Sequence, residues 1–250
     1  MNRHVARLIT AALTGCLALA VATPATAQDD TTPERGASRT DEQRFAELRE
    51  RCQAAVGQRL DSLARTRASI DGVAAVTEAH DAAIAAIVGD TEARLTALDR
   101  ELSTATDRVT VTTLCATIAP DHRVYLVVLP QAHLTVGTDR VEAGVGIGRS
   151  MIGELDTAIT AAGRAGADVT AAQAHRDASL EHLAAAEAAT DGTADDVLAV
   201  TPASFDDGNG AEVLDIARDE LRQARAELAA AEEAGAAAVA ALREALADLD

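Results

Sequence analysis

The chain has 250 residues and a formal charge of −18, and its strong bases are all Arg, with no Lys at any position. A surface this acidic repels the phosphates of nucleic acid and the anionic heads of lipids. Without Lys there is no P-loop, no Schiff-base chemistry and no lysine-linked pyridoxal cofactor. Trp is absent and only Phe45, Tyr125 and Phe205 are aromatic, so the apolar content is mostly Ala, Leu and Val. That composition suits thin, closely packed helices better than a deep core around a ligand, and it suggests no cofactor.

The first 27 residues read as a signal peptide. Arg3 and Arg7 precede an apolar run from Leu8 to Val21, and Ala25-Thr26-Ala27 has the small-x-small pattern that signal peptidase cuts. Cleavage between Ala27 and Gln28 would give a secreted, extracytoplasmic protein whose cysteines meet an oxidising environment. The alternative is a lipoprotein anchored at Cys16, after Leu13-Thr14-Gly15. The apolar Leu17–Val21 stretch that follows argues against it, since a lipoprotein tether is polar. The run is shorter than the ~20 residues of a spanning helix, so no membrane span is expected in the mature form. Residues 28–40, polar and holding Pro33 and Gly36, read as a disordered leader.

Thr40 and Gln43 have the spacing of a capping box at a helix start. Phe45, Leu48, Cys52, Val56, Leu60, Leu63 and Ile70 then share one helix face at three-and-four spacing. Asp71-Gly72 interrupts this helix and Thr77-Glu78 restarts it. Ile84, Ile87, Leu95, Leu98 and Leu102 carry a second helix towards Asp107. Residues 106–137 are ambiguous. Val109–Thr113 and Val124–Leu129 are β-branched and apolar like strands, yet Val111, Leu114, Cys115 and Ile118 share a helix face. A lone hairpin without a sheet behind it is marginal. The region is therefore expected to be mostly helix, with a short extended segment at 121–130, near Pro130.

Cys52 and Cys115 outlast signal cleavage, and export favours a disulfide between them. In an unbroken helix over 41–104, Cys52 would lie ~75 Å below the top, and the residues leading to Cys115 could retrace only ~40 Å. Folding back about position 72 sets Cys52 level with about residue 92, and a second reversal near Asp107 sets Cys115 level with about residue 99. The ~10 Å difference is small enough for a bond, which favours a three-helix unit over a rod.

Towards the other end, Val141, Val145, Ile152, Leu155, Ile159 and Ala162 keep the helical rhythm until Gly163-Arg164-Ala165-Gly166 ends it. Asp168 can cap the next helix, which carries Val169, Ala172, Leu180 and Leu183. Pro202 and Asp206–Gly210 read as the connection to the last helix. There, Leu214, Leu221, Leu228, Leu242 and Leu249 recur every seven residues, with Gly235 at the one missing step and Ala217, Ala224, Ala231, Ala238 and Ala245 three residues after each step. This seam could be a zipper for self-association or for a protein partner through helix 211–249. The breaks before it favour a helix buried within the chain's own bundle. The expected class is all-α: an elongated antiparallel helical bundle or coiled coil of about six helices, as two three-helix units over 41–130 and 131–250.

Several stretches carry a resemblance. Cys52-Gln53-Ala54-Ala55 with Arg59-Leu60, Asp121-His122-Arg123-Val124-Tyr125, Leu129-Pro130-Gln131-Ala132-His133-Leu134, Asp139-Arg140 and Val197-Leu198-Ala199-Val200-Thr201-Pro202 resemble segments of exported helical coiled-coil proteins of high-GC Gram-positive (actinobacterial) bacteria. The central RVYLVVLPQAHL stretch is the most specific of these. The resemblance implies an exported helical protein and brings no activity with it.

Chemical motifs are weak. His175 and His182 are seven apart, where a helical metal pair is three or four apart, and a disulfide would leave Cys115 unable to ligate beside His122 and His133. Gly144-x-Gly146-x-Gly148 lacks the βαβ setting of a dinucleotide loop, and Asp206–Gly210 lacks the ligand spacing of an EF-hand. The chain therefore reads as a non-enzymatic, exported structural or interaction protein. The alternative is a binding module with its site around residues 121–140, on Arg123, Tyr125, Gln131 and His133. For that stretch the favoured reading is that Tyr125, Leu126, Val128 and Leu129 plug the junction between two bundles while the polar residues pair locally.

Overall fold

The computed structural model describes residues 40–249. The expected signal peptide with its Ala27–Gln28 cleavage site, the alternative anchor at Cys16 and residues 28–39 of the expected leader lie outside the described residues. Among the described residues every regular element is helical: α1 (Asp41–Ile70), α2 (Glu78–Thr104), α3 (Arg108–Thr117), a π-helical turn (Val124–Val128), α4 (Leu129–Arg164), α5 (Thr170–Ala188), α6 (Thr193–Leu198), α7 (Pro202–Asp206) and α8 (Asn209–Ala247).

Local chemistry sets most of these boundaries. The Thr40–Gln43 capping box starts α1, each side chain accepting the other residue's backbone N–H at 3.0 and 3.2 Å. Asp71 caps its end, and Gly72 takes φ 77°, a left-handed conformation open to Gly at little cost. Thr77 caps α2 and Asp107 caps α3. The first three helices close on a core of Val56, Leu63, Val88, Leu95, Leu102 and Val111. Cys52 and Cys115 form a disulfide across it, with Cα atoms 5.6 Å apart. Gln53 Nε2 donates to Asp99 Oδ1 (3.4 Å), so Cys52 sits further along α2 than residue 92. The reversal occupies residues 71–77 and is not centred on 72, which brings the two cysteines level.

The 121–130 stretch is a correction to the sequence reading: it is helical, not extended. Arg123 adopts φ 40°, and its carbonyl accepts the N–H groups of Leu126, Val127 and Val128 at 3.1, 2.7 and 3.4 Å. A π turn follows because Pro130 has no N–H to close an α turn and its ring crowds the carbonyl four residues back. Of the residues expected to plug the junction, Val128 and Leu129 do pack inwards, whereas Tyr125 and Leu126 are exposed and Val124 and Val127 take the buried places. Val124 and Val128 enter the first core, and Val127 enters the second. The first turns of α4 serve both cores as well, Ala132 and Val136 on one side and Leu134 on the other.

Helices α4, α5 and α8 pack up, down and up. Leu214, Ala217, Leu221, Ala224, Ala231, Ala238 and Leu242 are buried, so the heptad seam of α8 lies within the chain, against α5 and α4. α4 and α8 run parallel in constant register: Gly137 meets Leu221, Gly144 meets Leu228 and Ile152 meets Gly235. Residues 193–206, read from sequence as helix end and loop, hold the short α6 and α7. The second of these is started by Pro202 and a Thr201–Ser204 capping box. The elbow into α8 needs Gly210, where a Cβ would lie 2.8 Å from the Phe205 backbone nitrogen, Ser204 Oγ and Val200 Cγ1. Gly210→Ala should therefore cost about 2 kcal/mol. Gly235→Ala, with 3.6 Å or more to its nearest neighbours, should instead add about 0.5–1 kcal/mol by favouring the helix. Chemical denaturation of the two variants checks the opposite signs.

Candidate functional site

The polar residues of the chain's centre gather where α2, the π turn, α4 and the α6–α7 segment meet. Gln131, 2% exposed, projects from the second turn of the π–α4 helix. Its Nε2 donates towards three carbonyls at the end of α6: Val197 (2.9 Å), Leu198 (3.2 Å) and Val200 (2.8 Å). Of these, Leu198 O and Val200 O are acceptors of the kind a helix C-terminus leaves without a backbone partner, while Val197 O also accepts the Val200 N–H. Two turns on, the buried Asp139 carboxylate accepts the Thr77 backbone N–H (3.0 Å) and faces His80 Nδ1 at 2.7 Å. His80 Nε2 lies 3.6 Å from Asp195 at the start of α6. One imidazole thus links α2, α4 and α6.

The other two central residues point elsewhere. The half-exposed Tyr125 lies under the Arg59 guanidinium, 5.3 Å from ring centroid to Cζ, and its hydroxyl donates to Gln58 O (3.3 Å) on α1. Arg123 pairs with Asp206 and sits over the Phe205 ring at 5.5 Å, both on α7. His133 is exposed on α4. Of the four proposed binding residues, three act as ties in different directions and only Gln131 lines a cavity.

That cavity, about 190 Å³, is bounded by Ile87, Asp90 and Arg94 of α2, by Asp121 and His122, by Val127 and Val128, and by Leu198, Val200, Thr201 and Pro202. Asp90 and Arg94 pair with each other along α2. His122 is 8% exposed, and its Nδ1 has no hydrogen-bond partner among the described residues. Burial holds its pKa below the ordinary 6.5, and the Arg94 and Arg59 charges push the same way against Asp121. Below pH 6.5 the unfolded chain then takes up a proton that the native chain refuses. The neutral ring's contribution to stability is complete above that pH and is lost as pH falls towards the lowered value. A ring titration followed by NMR should place the His122 midpoint below 6.5. The stability difference between wild type and His122→Gln should shrink on acidification.

The paired histidines do not converge: His182 Nδ1 faces Glu227 at 2.8 Å, and His175 is exposed. Among the described residues, no three His, Cys, Asp or Glu side chains could hold a metal together. No helix there is long and apolar enough to cross a membrane.

Sequence reasoning passed over a second feature. Where the leucine heptad skips to Gly235, a groove of about 490 Å³ opens between α4 and α8. Its signal was present in Gly144, Gly148 and Gly235 beside Ile147 and Met151, which lie off the buried seam and are 63% and 65% exposed. The glycines resembled a nucleotide loop too little to be kept, and their common place on facing helices is a matter of tertiary register. Compared with protein-family models, curated proteins and solved structures, the chain matches none.

Proposed function

We propose that the chain is an exported, non-enzymatic helical protein that works outside the membrane as a structural or interaction module. The observation that carries this reading is the use of the central polar residues. Gln131, Asp139, Arg123 and Tyr125 each tie one helix to another, so they serve rigidity before chemistry. The Cys52–Cys115 bond suits an oxidising compartment. A protein partner or a second copy would meet helix 211–249 on its outer faces, where Ile216 and Leu246 are exposed. Intact mass of the native protein from medium and from washed cells, with and without reduction, tests the export half. Chains in the medium that begin at Gln28 and gain two hydrogens on reduction are expected. A reduced, uncleaved chain in the cytosol overturns it, and a lipid-bearing chain beginning at Cys16 replaces secretion by anchoring.

A second reading makes the joint a small-ligand site, favoured by the unpartnered His122 Nδ1 beside the 190 Å³ cavity. It predicts a bound small molecule in native mass spectra that disappears in Arg94→Ala. Spectra of the unliganded mass alone count against it.

A further inference from the structure

The groove between α4 and α8 follows from one absent side chain. Gly235 stands where the heptad calls for a leucine, and a Cβ there would come no nearer than 3.6 Å to Ser179 and Ile152, while Gly144 and Gly148 line the groove and let Leu228 and Leu183 approach α4 closely. Below them the opening reaches the bundle interior, since Ser179 and Leu183 of α5, each 2% exposed, form its floor. Ser179 Oγ is already used, donating to Ala231 O at 2.8 Å. The walls are aliphatic: Ile147, Met151 and Leu155 on α4, and Leu228 and Val239 on α8. Glu232 is the single charged side chain at its edge.

Three properties narrow the occupant. The first is width. A Cβ on Gly144 would stand 3.3 Å from Leu228, so α4 and α8 are close, and a helix ~10 Å across cannot pass between them to the floor. A slender chain can. The second is length: Gly144 to Leu155 spans about 16 Å of helix, which an extended chain of about fourteen carbons covers at roughly 1.2 Å per bond. The third is charge. With Glu232 at the edge and a formal charge of −18 on the chain, a carboxylate or phosphate head is repelled and a cationic or neutral one is tolerated. A volume of about 490 Å³ also falls in the range of small-molecule sites, ~300–1,000 Å³. We propose that this groove binds the aliphatic chain of an amphiphile with a cationic or neutral head, with Gly235 supplying the room and Glu232 selecting the head.

Isothermal titration of the mature protein with alkyltrimethylammonium ions of eight to sixteen carbons, each below its micelle concentration, tests this. Affinity should rise about fourfold per methylene and level off near fourteen carbons, where the groove ends. Dodecanoate should bind at least tenfold more weakly than the cation of equal length, and Glu232→Gln should narrow that gap. Gly235→Leu, which fills the space, should weaken binding at least tenfold. Met151→Glu, at an exposed position that leaves the core intact, should do the same. Affinities within twofold of wild type in both variants, or a rise with chain length that does not level off, overturn the proposal. So does a ligand-free dimer, seen by sedimentation, that Gly235→Leu abolishes, because a second copy then occupies the groove.

Discussion

Reducing the Cys52–Cys115 bond, or replacing both cysteines with Ala, is expected to lower the unfolding free energy by about 4 kcal/mol. The bond closes a loop with a sequence separation of 63, and the entropy that such a loop removes from the unfolded chain gives this figure. For a domain of this size that is a fall in Tm of about 10 °C. The local effect should be concentrated in α3. That helix has ten residues and only Val111 of its own fully buried, so the bond is its main tie to α1. Hydrogen exchange after reduction should release the α3 amides first, with α8 still protected. Uniform loss of protection would instead mean that α3 is integral to the first core without the bond.

Gln131→Ala is expected to cost about 3 kcal/mol. Val197 O keeps a second partner, the Val200 N–H at 3.2 Å, but Leu198 O and Val200 O lose the donor that satisfies them in a buried setting. Gln131→Glu should be worse despite its identical shape. A carboxylate there faces carbonyl oxygens with no proton to give, and it must ionise out of water or stay protonated. Urea denaturation of the three proteins gives the ranking directly. Equal stability of Gln131→Ala and wild type would mean that water entering the neighbouring cavity serves the carbonyls as well as the amide does.

The sequence makes a good part of this architecture legible, and the reason is local. The Thr40–Gln43 box, the Gly72 turn and the Leu/Ala heptads each encode their structure within a few residues, so α1, its end and the buried face of α8 can be read off directly. The disulfide was legible because two turn positions fix which residues come level, although the first reversal is longer than Asp71-Gly72 alone suggests. The π turn was not legible. Val124–Val128 has the composition of a strand, and only the company of Arg123 in a left-handed conformation and of Pro130 makes it a wide helical turn. Partner choice was equally hidden. Arg123, Tyr125 and Gln131 stand close in the chain, but they reach α7, α1 and α6 respectively, elements that tertiary packing alone brings together. The groove at Gly235 belongs to the same class, because a missing leucine becomes a space only where the packing of α4 and α5 leaves it unfilled.

Because the π turn and the first turns of α4 place side chains in both hydrophobic cores, the two cores should unfold as one cooperative unit about that joint. Tyr125 is the only Tyr in a chain without Trp, and it sits at that joint against Arg59. Its fluorescence therefore reports the joint, while far-UV circular dichroism reports the helices of both bundles. Following one urea titration by both signals is the most direct test. Superimposable transitions are the expected result. A tyrosine transition that is complete at lower urea, with most of the helix still intact, would show the joint opening by itself and the two cores unfolding independently.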